Sequence, residues 1–94
     1  MDSLPSAELL DRTHRFPGPY IFKAIGRPEG GFVARIVAAI REQLEHDIDP
    51  PYHVRETAAG RHVSVTIEPE VRSSWEVLAI YQRIGEVDGV MFVF

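Results

Sequence analysis

The chain predicts an α+β sandwich with the element order strand–helix–strand–strand–helix–strand, on three observations. Apolar residues alternate with period 2 over residues 19–26, 52–57 and 61–68, and an apolar run at 90–94 closes the chain. Apolar residues recur with period 3.6 over residues 32–44 and 75–84. Turn-forming Gly, Pro and Asp separate the runs and almost nothing is left over. That order describes the split βαβ, or ferredoxin-like, two-layer sandwich. Its four-stranded antiparallel sheet has strand order 4-1-3-2, and two helices cover one face.

Each element has a local reason. Residues 1–15 are polar and form a flexible or partly helical lead-in, where Ser6 caps a short turn carrying Leu9 and Leu10. Residues 16–94 make the single domain. Pro17 and Pro19 force extended backbone into the first strand, with Tyr20, Phe22 and Ala24 on one face and Ile21, Lys23 and Ile25 on the other. The turn at residues 26–31 leads into the first helix, whose Val33, Ile36, Val37, Ile40 and Leu44 form one apolar stripe. Arg35, Arg41, Glu42 and Glu45 take its wet face. Asp49-Pro50-Pro51 ends that helix.

A two-residue hairpin turn at Ala59-Gly60 pairs Tyr52 with Ile67 and Val54 with Val65. It turns Val63, Val65 and Ile67 inward and His62, Ser64 and Thr66 outward. Ser73 with Glu76 three residues on has the form of a capping box for the second helix. Val77, Ile80, Tyr81 and Ile84 are that helix's core stripe, and Gly85 is expected to end it in a left-handed conformation. Asp88-Gly89 turns into the last strand, with Val90, Phe92 and Phe94 expected inward and Met91 and Val93 outward.

Composition narrows the function classes. A chain of 94 residues with 45% hydrophobic side chains builds one two-layer core and no deep private cavity. Ligand sites therefore belong in a loop cleft or between subunits. The absence of cysteine removes disulfide scaffolds, thiolate zinc sites, iron–sulfur clusters and a Cys nucleophile. The formal charge of −4 argues against a nucleic-acid partner. No apolar run is long enough to span a membrane, and the acidic, Pro-broken start is unlike a signal peptide, so a cytoplasmic address is expected.

Several residues together resemble the YbeD-like family of small bacterial proteins. They are the segment from Phe16 to Gly26, Ser64-Val65-Thr66-Ile67, and Val77, Ile80-Tyr81 and Ile84-Gly85. The likeness covers about residues 9–94. It implies a ferredoxin-like fold close to ACT regulatory domains, in a family with no established activity and no catalytic residue to carry over. The chain departs from the family pattern at Ala58-Ala59-Gly60-Arg61, where relatives tend to have a longer loop. Gly26-Arg27-Pro28-Glu29-Gly30 is loosely similar to the short Arg-Pro-Gly turn that lines a shared effector site in ACT domains.

The chemistry weighed on this frame is sparse. Copper chaperones need two cysteines, acylphosphatases an Asn, and RNA-recognition domains outward aromatics on the central strands; the sequence lacks the first two and reads against the third. His14, His46, His53 and His62 do not fall at metal-ligand spacing, so neither metal nor cofactor is expected. The Gly26, Arg27, Gly30 and Gly31 turn is the candidate site for a small anionic effector. Lys23 sits mid-sheet on the face away from the helices, with His62, Ser64, Arg55 and His53 on one side and Ile21, Ile25, Met91 and Val93 on the other. A lysine there covers apolar neighbours with its stem, and the apolar flank marks a contact site.

The expected function is a non-catalytic regulatory or adaptor domain acting through self-association, most simply a homodimer, and protein contact. The alternative is a small-effector module that uses the 26–31 turn at a subunit interface. A Lys23–His62 enzyme ranks third.

Overall fold

The computed structural model describes residues 4–94. Its main sheet runs from β3 (Tyr52–Glu56) through β4 (Val63–Ile67) and β2 (Phe22–Gly26) to β6 (Val90–Val93), every neighbour antiparallel. Helices α2 (Phe32–Leu44) and α3 (Ser74–Gly85) carry its core-side cover. Two features lie outside the sandwich of one sheet and two helices, the first of them the short helix expected in the lead-in. A first helix, α1 (Ala7–Thr13), is capped by Ser6 Oγ, which accepts from the Leu9 amide at 3.0 Å. It packs against α3 and buries Leu10, whereas Leu9 stays half exposed.

The second addition is a two-stranded ribbon of β1 (Gly18–Pro19) and β5 (Glu70–Val71). The ribbon continues the β2–β4 pairing in unbroken register, because Gly18 faces Val71 as Phe22 faces Ile67. Pro69 interrupts the ladder. Its carbonyl accepts from Tyr20 N at 3.0 Å, but a proline has no N–H to return the bond.

The core lies between the sheet and the helices. Phe22, Ala24, Val65 and Ile67 from the sheet meet Ile36, Ile40, Val77, Ile80 and Ile84 from the helices, all fully buried. These are the positions that the two periodicities select. Leaving a half-exposed core position is the β3 edge, where Tyr52 and Val54 share the inward side with Ile67 and Val65 yet remain exposed.

The hairpin keeps the expected register but not the expected turn. Tyr52 pairs with Ile67 and Val54 with Val65. Residues 58–61 form the loop, and the Thr57 amide and hydroxyl both bond the His62 backbone at 3.0–3.1 Å. Ala59 and Gly60 take positive φ of 63° and 65° inside it.

The end of α3 also differs from expectation. Gly85 is helical, and Glu86 at φ −90° closes the helix, its amide donating to Arg83 O at 3.2 Å and the Val87 amide to Ile84 O at 3.0 Å. The left-handed stop occurs instead at the end of α2, where Glu45 adopts φ 60° and His46 N reaches Arg41 O at 3.1 Å. At the start of α3, Ser73 Oγ accepts from Glu76 N at 3.3 Å. The Glu76 carboxylate reaches back one residue further than a capping box requires, to the Arg72 amide at 2.8 Å.

The last strand corrects a site assignment. Ala24 pairs with Val93 and Ile25 with Phe92, but Gly26 pairs with Val90, so Met91 forms a bulge. Directly opposed residues share a face, which puts Val93 on the helix side with buried Ala24 and packs it on the core. Phe92, and Phe94 through its paired bonds with Lys23 at 3.0 and 2.8 Å, point to the open face. The expectation of Phe92 and Phe94 inward and Val93 outward is thus reversed. Met91 is exposed on the bulge.

Candidate functional site

Two regions held the sequence-based candidates, and the structure treats them differently. In the 26–31 turn, Gly30 and Gly31 adopt φ of 73° and 72°, the left-handed region that favours glycine, and Gly31 caps α2. Gly26 is fixed by close approach. A Cβ there would lie 2.5 Å from the Phe32 ring and 2.6 Å from the Gly89 carbonyl oxygen. Arg35, assigned to the wet face of the helix, instead folds over the turn. Its guanidinium donates to the Gly30 carbonyl and, at 2.8 Å, to the Asp88 carbonyl. It ties the α2 entry to the turn before β6. Arg27 is exposed, and its amide donates to Gly89 O at 3.2 Å.

The second region is the face of the sheet that no helix covers. Pairing aligns its outward residues into two rows. One runs His53–Thr66–Lys23–Phe94 and the next Arg55–Ser64–Ile25–Phe92. Beyond the first row, Ile21 alternates with Lys23 and is 57% exposed; Phe92 and Phe94 are 56% and 60% exposed. Basic side chains therefore gather on the β3 side and aromatic ones on the β6 side. Lys23, His53, Arg55, Ser64, Thr66 and Val54 line a recess of about 250 Å3. Ser64 is buried at its floor. Lys23, His53 and Arg55 form no ion pair with any described residue. The eight outward strand positions in these rows hold no Asp or Glu. Glu68 stands one row further on, past the end of β4.

Lys23, Ser64, Ile25 and Ile21 thus come together as expected, while Met91 and Val93 do not join them. His62 stands apart too. It faces Thr57, four residues along β4 from the Thr66 that faces Lys23, a separation of about 13 Å. Lys23 and His62 do not form a working pair. Phe92 and Phe94 are the face residues absent from the expected set, while His53, Arg55 and Thr66 lie where the hairpin register expects them. For the aromatic pair a signal existed: glycine inside a strand often marks a bulge, and Gly26 sits opposite this one.

A third feature lies near α1. His14, Tyr20, Phe22 and Tyr81 pack in a chain of tilted and edge-to-face rings with neighbouring centroids 4.9–5.0 Å apart. The Tyr20 and Tyr81 hydroxyls are 3.2 Å apart. Burial, reinforced by that hydrogen bond, pushes the Tyr81 phenol well above its usual range. A packed, hydrogen-bonded tyrosine pair of this kind is structural. No helix among the described residues is long and apolar enough to cross a membrane.

Comparison with known proteins places this geometry. Residues 11–94 match the family described as "Protein of unknown function (DUF493)". The chain belongs to that family. It is 28% identical over 81 residues to a UPF0250 protein of Shewanella oneidensis, covering 86% of this chain and 90% of that protein. It is 25% identical over 84 residues to the UPF0250 protein YbeD of Escherichia coli, covering 89% and 94%. The YbeD-like resemblance is therefore a family membership.

Two solved structures share the fold. The ACT domain from GTP pyrophosphokinase of Chlorobium tepidum matches with TM-score 0.60 and 14% identity, over 82% of this chain and 95% of that one. A protein from H. pylori solved in solution also matches with TM-score 0.60 and 14% identity, over 100% and 98%. At that identity the likeness speaks for an ACT-like fold alone.

Proposed function

We propose that this DUF493 protein is a non-catalytic regulatory or adaptor domain that works by protein contact through the open face of its sheet. The observation that carries the reading is the uncovered band of Ile21, Phe92 and Phe94 beside Lys23, which pairs with no carboxylate among the described residues. Three large apolar side chains, each more than half exposed on one face, mark a contact surface. Lys23 stands exposed on an open sheet, without the enclosing pocket that base or Schiff-base chemistry needs. The ACT-like fold is in keeping with a regulatory role, as an analogy.

Self-association belongs to the same proposal and suits the β3 edge better than the open face. That strand's outer side is unpaired, and Tyr52, Val54 and nearby Ile48 are exposed along it. The effector alternative loses ground because Arg35 already occupies the Gly30 and Asp88 carbonyls around the 26–31 turn.

A photo-crosslinking side chain at position 92, introduced into the protein in its own cells, tests the reading. The expected product is a discrete protein adduct that a crosslinker at exposed Glu86, on the helix side, does not form. Identical adduct patterns from the two positions would remove the proposal. Light scattering at high micromolar concentration tests the dimer, and a monomer there would remove that part alone.

A further inference from the structure

We infer that the open face receives an acidic, partly apolar segment of a partner protein, with its carboxylates in the Lys23–His53–Arg55 recess and its apolar side chains on Phe92 and Phe94. This deepens the adaptor reading and rests on it. The first ground is charge segregation. The chain carries a formal charge of −4, yet its open face holds Lys23 and Arg55, with His53 beside them, and no acid in either row. The rest of the molecule is more acidic for it. Cations with no ion-pair partner among the described residues, clustered on an acidic protein, make a local field that draws carboxylates and repels other cations.

The donors on that face suit carboxylates. Arg55 offers a planar fork and Lys23 a mobile ammonium, while the Ser64 and Thr66 hydroxyls stand between them in the same recess. The second ground is the division of the face. Across three inter-strand spacings of about 4.8 Å, the chemistry changes from basic at β3 to aromatic at β6. A segment lying across the strands therefore meets a cation and an aromatic ring about 14 Å apart at Arg55 and Phe92, and about 5 Å apart at Lys23 and Phe94. In an extended peptide the longer distance places an acid about four residues from an apolar anchor.

Other occupants fit less well. Two copies joined by their open faces would supply no carboxylate to Lys23 and Arg55, because neither row of that face holds an Asp or Glu. A nucleic-acid strand would meet an acidic protein, and the exposed aromatics lie on the edge strand. The outward positions of central β2 and β4 hold Lys23, Ile25, Ser64 and Thr66.

The test uses the full chain and four labelled probes in a titration followed by fluorescence anisotropy and amide chemical shifts. One dodecapeptide carries three Asp and three Leu, each Asp four residues from a Leu, on a Ser/Gly background. The second replaces Asp by Lys, the third replaces Leu by Ser, and the fourth probe is a twelve-nucleotide oligo-dT. The Asp/Leu peptide should bind about tenfold or more tighter than the Lys/Leu peptide, a difference of about 1.4 kcal/mol. Its shifts should fall on β2, β4 and β6, and high salt should weaken it.

The double variant Lys23→Glu/Arg55→Glu should reverse the preference, and Phe92→Ser/Phe94→Ser should weaken the Asp/Leu peptide. Thermal melts check that both fold. Lys23→Gln/Arg55→Gln gives the same contrast with smaller perturbation, through loss of the preference. Equal binding of Asp/Leu and Lys/Leu peptides, tighter binding of oligo-dT, or no binding of any peptide would overturn the inference. So would a dimer that Phe92→Ser/Phe94→Ser dissolves, since a second copy would then cover the face. A position-92 adduct whose contact segment lacks acids would leave the adaptor reading standing and this inference refuted.

Discussion

The two faces of one four-stranded sheet follow opposite rules. On the helix side, Phe22, Ala24, Val65 and Ile67 are wholly excluded from solvent beneath α2 and α3. On the other side, one residue away along the same strands, Lys23 is exposed and Ile21, Phe92 and Phe94 are more than half exposed. Strand alternation makes the two sets adjacent in sequence, but the energies attached to them differ. The buried face holds the fold. The open face contributes little to it and is free to serve contact.

Paired substitutions give the largest test of that contrast. Phe22→Ala should destabilise the protein by about 3–5 kcal/mol, the usual range for a fully buried phenylalanine. Phe92→Ala should cost under about 1 kcal/mol, within the spread of edge-strand propensities and surface changes. Urea melts of both variants decide it. A loss at Phe92 comparable to that at Phe22 would mean the open face is covered in solution.

The same logic sorts two adjacent residues at the end of β2. Gly26→Ala drives a methyl into the Phe32 ring and the Gly89 carbonyl, contacts of 2.5 and 2.6 Å, and should cost about 1–3 kcal/mol. Arg27→Ala, on an exposed side chain, should stay within about 0.5 kcal/mol. A thermal shift with amino acids or phosphorylated metabolites that Arg27→Ala abolishes would restore the effector reading of this turn.

Much of this architecture was legible because periodicity reports burial. The stripes of Ile36, Val37 and Ile40 and of Val77, Ile80 and Tyr81 are the buried helix positions, and the hairpin register follows from matching Val54 to Val65. The failures came where pattern does not encode geometry. In the run from Val90 to Phe94 every residue is apolar, so one bulge at Met91 exchanged the faces of Phe92 and Val93 with no mark in the run itself; the hint, Gly26, lies on the facing strand. Arg35 looked like a solvated helix residue because its clasp on the Asp88 carbonyl spans 53 positions, beyond any local signal. The β1–β5 ribbon, at two residues a strand, was too short to show a period.

A titration probes the helix side in a different way. The neutral Tyr81 phenol is held by burial and by Tyr20, so its folded pKa lies above the unfolded value of about 10. The stability it contributes is complete below pH ~10, where both states keep the proton, and is lost as pH rises through the folded pKa. Wild type should therefore lose stability above pH ~10 more steeply than Tyr81→Phe. At neutral pH that variant should cost about 1 kcal/mol, for one hydroxyl–hydroxyl bond at a half-buried site. Parallel alkaline profiles would show that the phenol pair is wet.

The smallest expected effect is the most informative about the open face. Lys23 lies in the centre of the sheet, flanked by Thr66 and Phe94, at a position that would be core on the other side. Its ammonium has no carboxylate among the described residues, so Lys23→Met leaves no partner stranded. The methionine keeps most of the stem's contact with Thr66 and Phe94. The stability change should be within about 0.5 kcal/mol by urea melt. A loss of ~3 kcal/mol or more would instead place Lys23 in a buried charge network and return catalysis to consideration. If the melt is silent while the Asp/Leu peptide loses affinity, the lysine is retained for contact alone. A mid-sheet residue that folding does not need, but binding does, separates the two faces of this sheet most sharply.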